Sequence, residues 1–431
     1  MGISTFHTSL DRNKLPRLRG SLRLLILLSP FFSAASSSHH SARGYTTLSS
    51  DTLTLLNSLS TSPKTTTAQY PDTPSILDFR NPSSLLSQIL IPRPIESGGL
   101  AKAQKVVTQQ FASLSTNGSW ELTVDEFKAN TPYGEKKFKN LVFTHDPTAA
   151  RFLLLSAHID SKLTPVNFVG ATDSAAPCAM MVDVATALND WLEARRRRKF
   201  EAMEEGTWVD GGKEDESLRI VFFDGEEALK DWTHTDSIYG SRHLAEIWSK
   251  PIRSPSPTNP PITPLSQITT FILFDLLGAP HPVIRSFYER TDWLFSAFVN
   301  AEDRLGKQGW LYEGADGKDW KTKGLDLTAS GVSGEMGRSF FKPKDAYSFF
   351  GSGIEDDHLP FLKAGVPILH LIASPFPSVW HRIEDDASAL DYETVKAWAL
   401  ITRLVVAEYL GLAPPEEGVR IVRSVHELVP L

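Results

Sequence analysis

Four short apolar runs constrain this chain more than any other feature: Phe152–Ser156, Arg219–Phe223, Thr270–Phe274 and Ile368–Ile372. None alternates apolar with polar residues, as a strand with one wet face does, so each reads as a strand covered on both faces. Helical patterns between the runs supply the cover. One opens near Ser174 with Pro177 in its first turn and repeats Met181, Val184, Ala185, Leu188, Trp191 and Leu192 at helical spacing. Another starts at Asp391, sets Val395, Trp398, Thr402, Val405 and Tyr409 on one stripe and stops at Gly411. Strands alternating with helices from about Ile76 to Leu412 predict an α/β domain.

The flanks read differently. Residues 1–36 carry a basic stretch (Arg12, Lys14, Arg17, Arg19, Arg23), an apolar run from Leu24 to Phe32, then Ser33, Ala34, Ala35 and Ser36. That order predicts a signal peptide or a membrane anchor, and so the secretory pathway, with the chain secreted or held in the ER or Golgi. A disordered leader or a mitochondrial presequence is the alternative. Residues 37–75 read as a flexible lead-in with a short helix around Leu53 to Leu59, residues 76–415 as the single α/β domain, and 416–431 as a tail. Three loops interrupt the body: a charge run from Arg195 to Glu216, a Pro-rich stretch from Arg253 to Pro264 and a Gly/Ser-rich one from Gly331 to Lys344. The arginines at 195–198 are expected to be a solvated helix end, because acids follow at once. Asn117-Gly118-Ser119 has the form of a glycosylation acceptor, a weak three-residue match. A net charge of −7 gives no reason to expect nucleic acid, and a membrane partner is expected only if the N-terminal segment stays as an anchor. Cys178 is the one cysteine, which excludes an intramolecular disulfide framework.

Chemistry gathers where the strands end. The first leads into His158-Ile159-Asp160 and then Asp173; the second into Asp224-Gly225-Glu226-Glu227; the third into Asp275; the fourth carries His370 and feeds a stretch ending in Trp380-His381. In open α/β sheets ligands bind outside the carboxyl ends of the strands. Adjacent carboxylates behind a buried strand repel each other unless a cation or proton compensates, although alone the pair Glu226-Glu227 is equally a solvated acidic turn. With Asp173 and His381 added, two carboxylates and an imidazole form a three-ligand set with an open fourth position, the arrangement of catalytic zinc.

Longer segments carry a resemblance. They are Phe168-Val169-Gly170-Ala171-Thr172-Asp173-Ser174-Ala175, Phe222-Phe223-Asp224-Gly225-Glu226-Glu227, Tyr239-Gly240-Ser241-Arg242-His243, Phe274-Asp275-Leu276-Leu277-Gly278-Ala279-Pro280, Asp356-Asp357-His358-Leu359-Pro360-Phe361, and Val366-Pro367-Ile368-Leu369-His370 running on through Ser374-Pro375-Phe376-Pro377 to Trp380-His381. From about Leu100 to Leu412 the chain resembles the glutaminyl-peptide cyclotransferases. The resemblance implies a central mixed, mostly parallel twisted sheet flanked by helices, as in zinc exopeptidases. It implies cyclisation of N-terminal glutamine of peptides or proteins to pyroglutamate, with release of ammonia. One zinc ion per chain would sit on Asp173, Glu227 and His381, with Glu226 as proton carrier. Asp275 and Asp356 would form a hydrogen-bond network with His370 close by. Trp232, Phe376 and Trp380 would wall the substrate pocket and exclude water. His158 and Asp160 are expected beside the ion, or as ligands of a second one.

The chain departs from the family at two places. Many animal members have a cysteine where Ala157 stands, paired with the one matching Cys178, so Cys178 is expected to be a free buried thiol. Glu355 stands where the family commonly has glutamine, an extra carboxylate expected to alter how the substrate's amine is held. The rival reading is a zinc aminopeptidase on the same fold, with one or two ions, Asp173 bridging and Glu226 activating water. A binding protein on a dead hydrolase scaffold is a third, and the intact Asp173, Glu226, Glu227 and His381 speak against it.

Overall fold

The computed structural model describes residues 45–58, 76–115, 119–209, 212, 214–252, 261–326, 336–345, 349 and 353–415. The N-terminal leader, Asn117, most of the Pro-rich stretch and the C-terminal tail lie outside the described residues.

All four apolar runs are strands, each within a few residues of its expected ends: β3 (Arg151–His158), β4 (Glu216–Phe223), β5 (Ile268–Asp275) and β6 (Ile368–Ile372). Two more precede them, β1 (Trp120–Thr131) and β2 (Gly134–His145). The sheet order is β1-β2-β4-β3-β5-β6. The pairs β4–β3, β3–β5 and β5–β6 are parallel, and the pairs β1–β2 and β2–β4 are antiparallel. The sheet is therefore mixed. Four parallel strands bring their carboxyl ends to one edge.

Both faces of those strands are covered, which explains their apolar runs. Leu153 and Leu155 of β3, with Ile220 and Phe222 of β4, join one core with the helices α3 (Gly98–Leu114), α4 (Ala176–Glu204), α6 (Asp292–Lys307) and α8 (Tyr392–Leu410). Leu154, Val221 and Phe223 face the opposite way, onto α5 (Tyr239–Trp248) and α7 (Leu359–Lys363) through Leu244, Trp248 and Phe361. Alternate side chains thus serve opposite layers. The hairpin β1–β2 differs. β1 is an edge strand with Leu122 and Val124 exposed, flanked by the polar Glu121, Thr123 and Asp125.

Helix ends follow local chemistry. The Asp391 carboxylate accepts the Thr394 N–H at 2.8 Å to open α8, and Gly411, at φ 64, closes it. α4 has Pro177 in its first turn. It packs on α8 around a buried pair, with Arg403 Nε donating to Asp183 Oδ2 at 2.7 Å.

The charge run departs from expectation. α4 continues through it to Glu204, and Arg195 and Lys199, one turn apart, are buried. Lys199 Nζ reaches Asp215 at 2.9 Å and Asp146 at 3.1 Å, and Arg195 donates to the Leu410 carbonyl. The arginine run is not a helix end, and of its four arginines only Arg195 is buried, while Arg196, Arg197 and Arg198 are half-buried. Residues 45–58 of the lead-in are docked: α1 (Ser50–Ser58) buries Leu53 and Leu56, and Glu408 of α8 accepts from the Tyr45 hydroxyl and the Leu48 N–H, both at 2.7 Å. α2 (Leu85–Ile89) packs against α3 and α4. No described helix is long and apolar enough to cross a membrane.

Candidate active site

Each expected ligand hangs from the parallel edge by a different device. Asp173 sits in a short turn, Ala171–Ala175, between β3 and α4, with non-helical backbone at Asp173 and Ser174. The turn is anchored by Asp385, whose carbonyl accepts the Ala171 N–H and whose carboxylate accepts the Thr172 N–H, both at 2.9 Å. Gly170 precedes it at φ 62, and a Cβ there would meet the Asp173 carbonyl oxygen at 2.0 Å. Only glycine fits. Glu226 and Glu227 follow β4 on a turn whose backbone N–H groups donate to the two oxygens of Asp160 at 3.2 and 3.3 Å. Gly225, at φ 79, lies under the Phe138 ring, 2.5 Å from where its Cβ would be. His381 follows β6 and itself adopts φ 56; Leu276, after Asp275, adopts φ 53. Both are left-handed backbone at non-glycine residues.

These devices converge. One oxygen each of Asp173 and Glu227 and one nitrogen of His381 lie within 4.8 Å of one another. His381 Nε2 is 3.5 Å from Asp173 Oδ2 and 3.6 Å from Glu227 Oε2. Asp173 Oδ2 and Glu227 Oε1 are buried and have no hydrogen-bond partner among the described residues. Buried carboxylate oxygens without donors are costly. A second group shares Asp173: His158 Nε2 lies 3.0 Å from Asp173 Oδ1 and 3.4 Å from Asp275 Oδ1. Asp275 Oδ1 already accepts the Ser174 hydroxyl and the Leu276 N–H. A third is Asp356, His358 and His370, where His370 Nε2 is 2.8 Å from Asp356 Oδ2 and the Tyr288 hydroxyl is 2.6 Å from His358 Nε2. Asp160 belongs to none of these groups; its oxygens hold backbone. The Trp380 ring stacks on His381 at 4.0 Å between centroids and meets Phe376 edge-on at 4.8 Å.

The family described as peptidase family M28 matches residues 140–311 and 322–406. The glutaminyl-peptide cyclotransferase of Drosophila melanogaster is 37% identical over 345 residues, 78% of this chain and 84% of the relative. Among solved structures, the glutaminyl cyclase of Macrostomum lignano is 31% identical with a TM-score of 0.64, covering 85% of this chain and 95% of that one.

The chain belongs to the glutaminyl-peptide cyclotransferase family.

A Zn-dependent exopeptidase of Parabacteroides distasonis, 16% identical with a TM-score of 0.50 over 78% of this chain and 98% of that one, shares the fold alone. The cyclotransferase family thus keeps a zinc-exopeptidase-like architecture, as the resemblance implied.

Electrostatics at the site show a shortage of positive charge. Burial, then Asp173, pushes the Glu227 carboxyl up to about 8, with Lys162 opposing. Burial likewise raises Glu226 well above the carboxylate range; His158 opposes the shift, and Asp356 and Glu227 add to it. Burial brings His381 down to about 4. His158 goes the other way: burial lowers it, but Asp160, Asp173 and Asp275 carry it well above the usual histidine value. A divalent cation among Asp173, Glu227 and His381 would lower the Glu226 and Glu227 carboxyls again, and it binds the neutral form of the imidazole.

Three residues are added to those expected. Trp232 and Trp380, expected to wall the pocket, are 38% and 40% exposed. Lys162, whose Nζ lies 3.0 Å from Glu227 Oε2, was not anticipated. Neither were Asp385 or Arg93, a buried guanidinium that donates to the carbonyls of Ile159, Val169 and Gly170 and so ties the β3 loop to the approach to Asp173. Pro92-Arg93-Pro94 is a visible signal, an arginine fenced by prolines; nothing local marks the other two.

Proposed function

We infer that this chain converts N-terminal glutaminyl residues of peptides and proteins to pyroglutamate, releasing ammonia, with one zinc ion held by Asp173, Glu227 and His381. The observation that carries the reading is the convergence of two buried carboxylates, each with an unpartnered oxygen, on an imidazole beside a further buried glutamate. Two carboxylates and a neutral imidazole suit zinc, and three protein ligands leave a position for substrate. When bound, zinc supplies Lewis acidity to the γ-carbonyl of glutamine.

The chain's own residues do the rest. Glu226, adjacent to Glu227 but outside the group of three, takes a proton from the substrate's α-amine as that nitrogen attacks the side-chain carbonyl carbon. It returns the proton to the side-chain nitrogen as the C–N bond breaks and ammonia leaves. The nucleophile belongs to the same residue as the electrophile, so little freedom is lost on closing the ring. Asp160 holds the backbone of both glutamates. Asp275, tied by Ser174 and Leu276, and Asp356, tied by His370, order the acids around Glu226. Trp380, stacked on His381, with Phe376 and Trp232, covers the bound end and keeps out water that would hydrolyse it.

The test is incubation of the purified zinc-loaded protein with a Gln-initiated peptide, following loss of ammonia by mass. Chelation abolishes the loss and zinc restores it. No mass change with zinc present overturns the reading.

A second reading, an aminopeptidase with two ions, is favoured by the group His158, Asp173 and Asp275. Against it stands the Asp275 oxygen already occupied by two donors. Zinc content near two per chain, with hydrolysis of leucine amide, supports that alternative. The basic, apolar and small residues of 1–36 support delivery to the secretory pathway, checked by the N-terminal sequence of protein recovered from a eukaryotic host.

A further inference from the structure

We propose that Glu355 is a specificity-determining residue that favours Gln-initiated peptides with a cationic side chain just after the glutamine; this rests on the cyclotransferase reading. Glu355 is exposed, whereas Asp356, the next residue, is buried and meets His370 Nε2 at 2.8 Å in the third cluster of the site. Residues 355 and 356 therefore lead from solvent to the floor of the site. The Glu355 carboxylate is also held in place: its Oε2 accepts the Trp232 indole N–H at 2.8 Å. That bond ties the segment ahead of α7 to the loop after β4.

The placement decides which part of a substrate meets the charge. The glutaminyl end must reach Asp173, Glu226 and Glu227, none more than 6% exposed. The following residues must then leave across the solvent-exposed groups around the mouth, where Trp232 and Glu355 stand. No cation is paired with Glu355 among the described residues, since Lys162 is engaged with Glu227 and the indole is the partner of Glu355. Exposed Lys230 and Asp231 stand side by side with opposite charges. Glu355 thus presents an uncompensated, oriented negative charge. A glutamine in its place keeps an acceptor for the indole and loses the charge, which separates the electrostatic role from the structural one.

Charges about 7 Å apart in solvent change binding roughly threefold, so lysine and glutamate at the second position differ by about tenfold. The experiment measures kcat and KM of the zinc holoenzyme on Gln-Lys, Gln-Ala and Gln-Glu peptides for wild type, E355Q and E355K. The wild type is expected to prefer Gln-Lys over Gln-Glu by about tenfold at low salt, mainly in KM, and less at 1 M salt, where screening acts within ~3 Å. E355Q brings the ratio near one, and E355K inverts it. An unchanged ratio in both variants, or a wild type that cyclises all three peptides alike, overturns the inference and leaves the reaction standing. A wild type that cyclises none overturns the reaction and the inference together.

Discussion

Gly170→Ala sets one methyl group against the residue on which the site turns. Two costs follow. An L-residue at φ 62 loses roughly 1–2 kcal/mol against glycine. The new Cβ would also lie 2.0 Å from the Asp173 carbonyl oxygen, where real contacts stay beyond 3.0 Å, so the backbone of 170 or of 173 must shift by about 1 Å. Asp385 holds that turn from the other side through Ala171 and Thr172, so the shift cannot be absorbed by the turn alone. A displacement of about 1 Å in a reacting constellation costs on the order of 100-fold in rate. Gly206→Ala is the control: its φ is 70 and its Cβ would meet nothing within 4 Å. The assay is zinc content by mass spectrometry, kcat/KM on a Gln peptide and a thermal melt for both variants. Gly206→Ala loses about 1 kcal/mol and keeps metal and activity. Gly170→Ala loses zinc affinity and about 100-fold or more in kcat/KM. A Gly170→Ala protein with full zinc and near-normal rate would refute the argument that this close approach positions Asp173.

Other outcomes follow from the same geometry. Glu226→Gln is expected to lower kcat by roughly 10²–10⁴ while zinc content stays at the wild-type level; loss of zinc would instead make Glu226 a ligand. Asp183→Asn strands the buried Arg403 and should cost about 3–5 kcal/mol in urea unfolding, while replacing both partners by apolar residues costs less. Burial pushes the Glu302 carboxyl from 4.5 up to about 7, against the Phe340 N–H and the Ser339 hydroxyl. The folded state then binds this proton more tightly than the unfolded state. Its contribution is complete below about pH 4.5, is lost as pH rises to about 7, and totals on the order of 3 kcal/mol. Unfolding midpoints from pH 4.5 to 8 should therefore fall more steeply for wild type than for Glu302→Gln, and parallel curves would contradict the assignment.

What could be read from the residues depended on whether a feature is local. β3 to β6 were legible because burial on both faces leaves an apolar run. The hairpin was not, although Trp120, Leu122 and Val124 alternate with charged and polar residues: an edge strand keeps apolar groups in solvent, and the pattern passes for a surface segment. The arginine run misled for the opposite reason. Its sequence neighbours are acids, and one of them, Asp215, does meet Lys199, but Leu410, which takes up Arg195, and Asp146, which shares Lys199, are brought close by folding alone. At the site, Asp173, Glu226, Glu227 and His381 stood out because each falls just past a strand or in a long family segment. Lys162 and Asp385 act through one contact apiece and leave no pattern. The exposure of Trp232 and Trp380 depends on how loops close over the edge, which spacing does not encode.

Asp160 spends both its oxygens on the amides of two successive glutamates, one assigned to grip the ion and the other to shuttle protons. Both tasks therefore share a single suspension point. A change that tilts this carboxylate cannot retune the metal without also re-aiming the proton relay, so altered metal preference and altered turnover should be inherited together in variants of this enzyme.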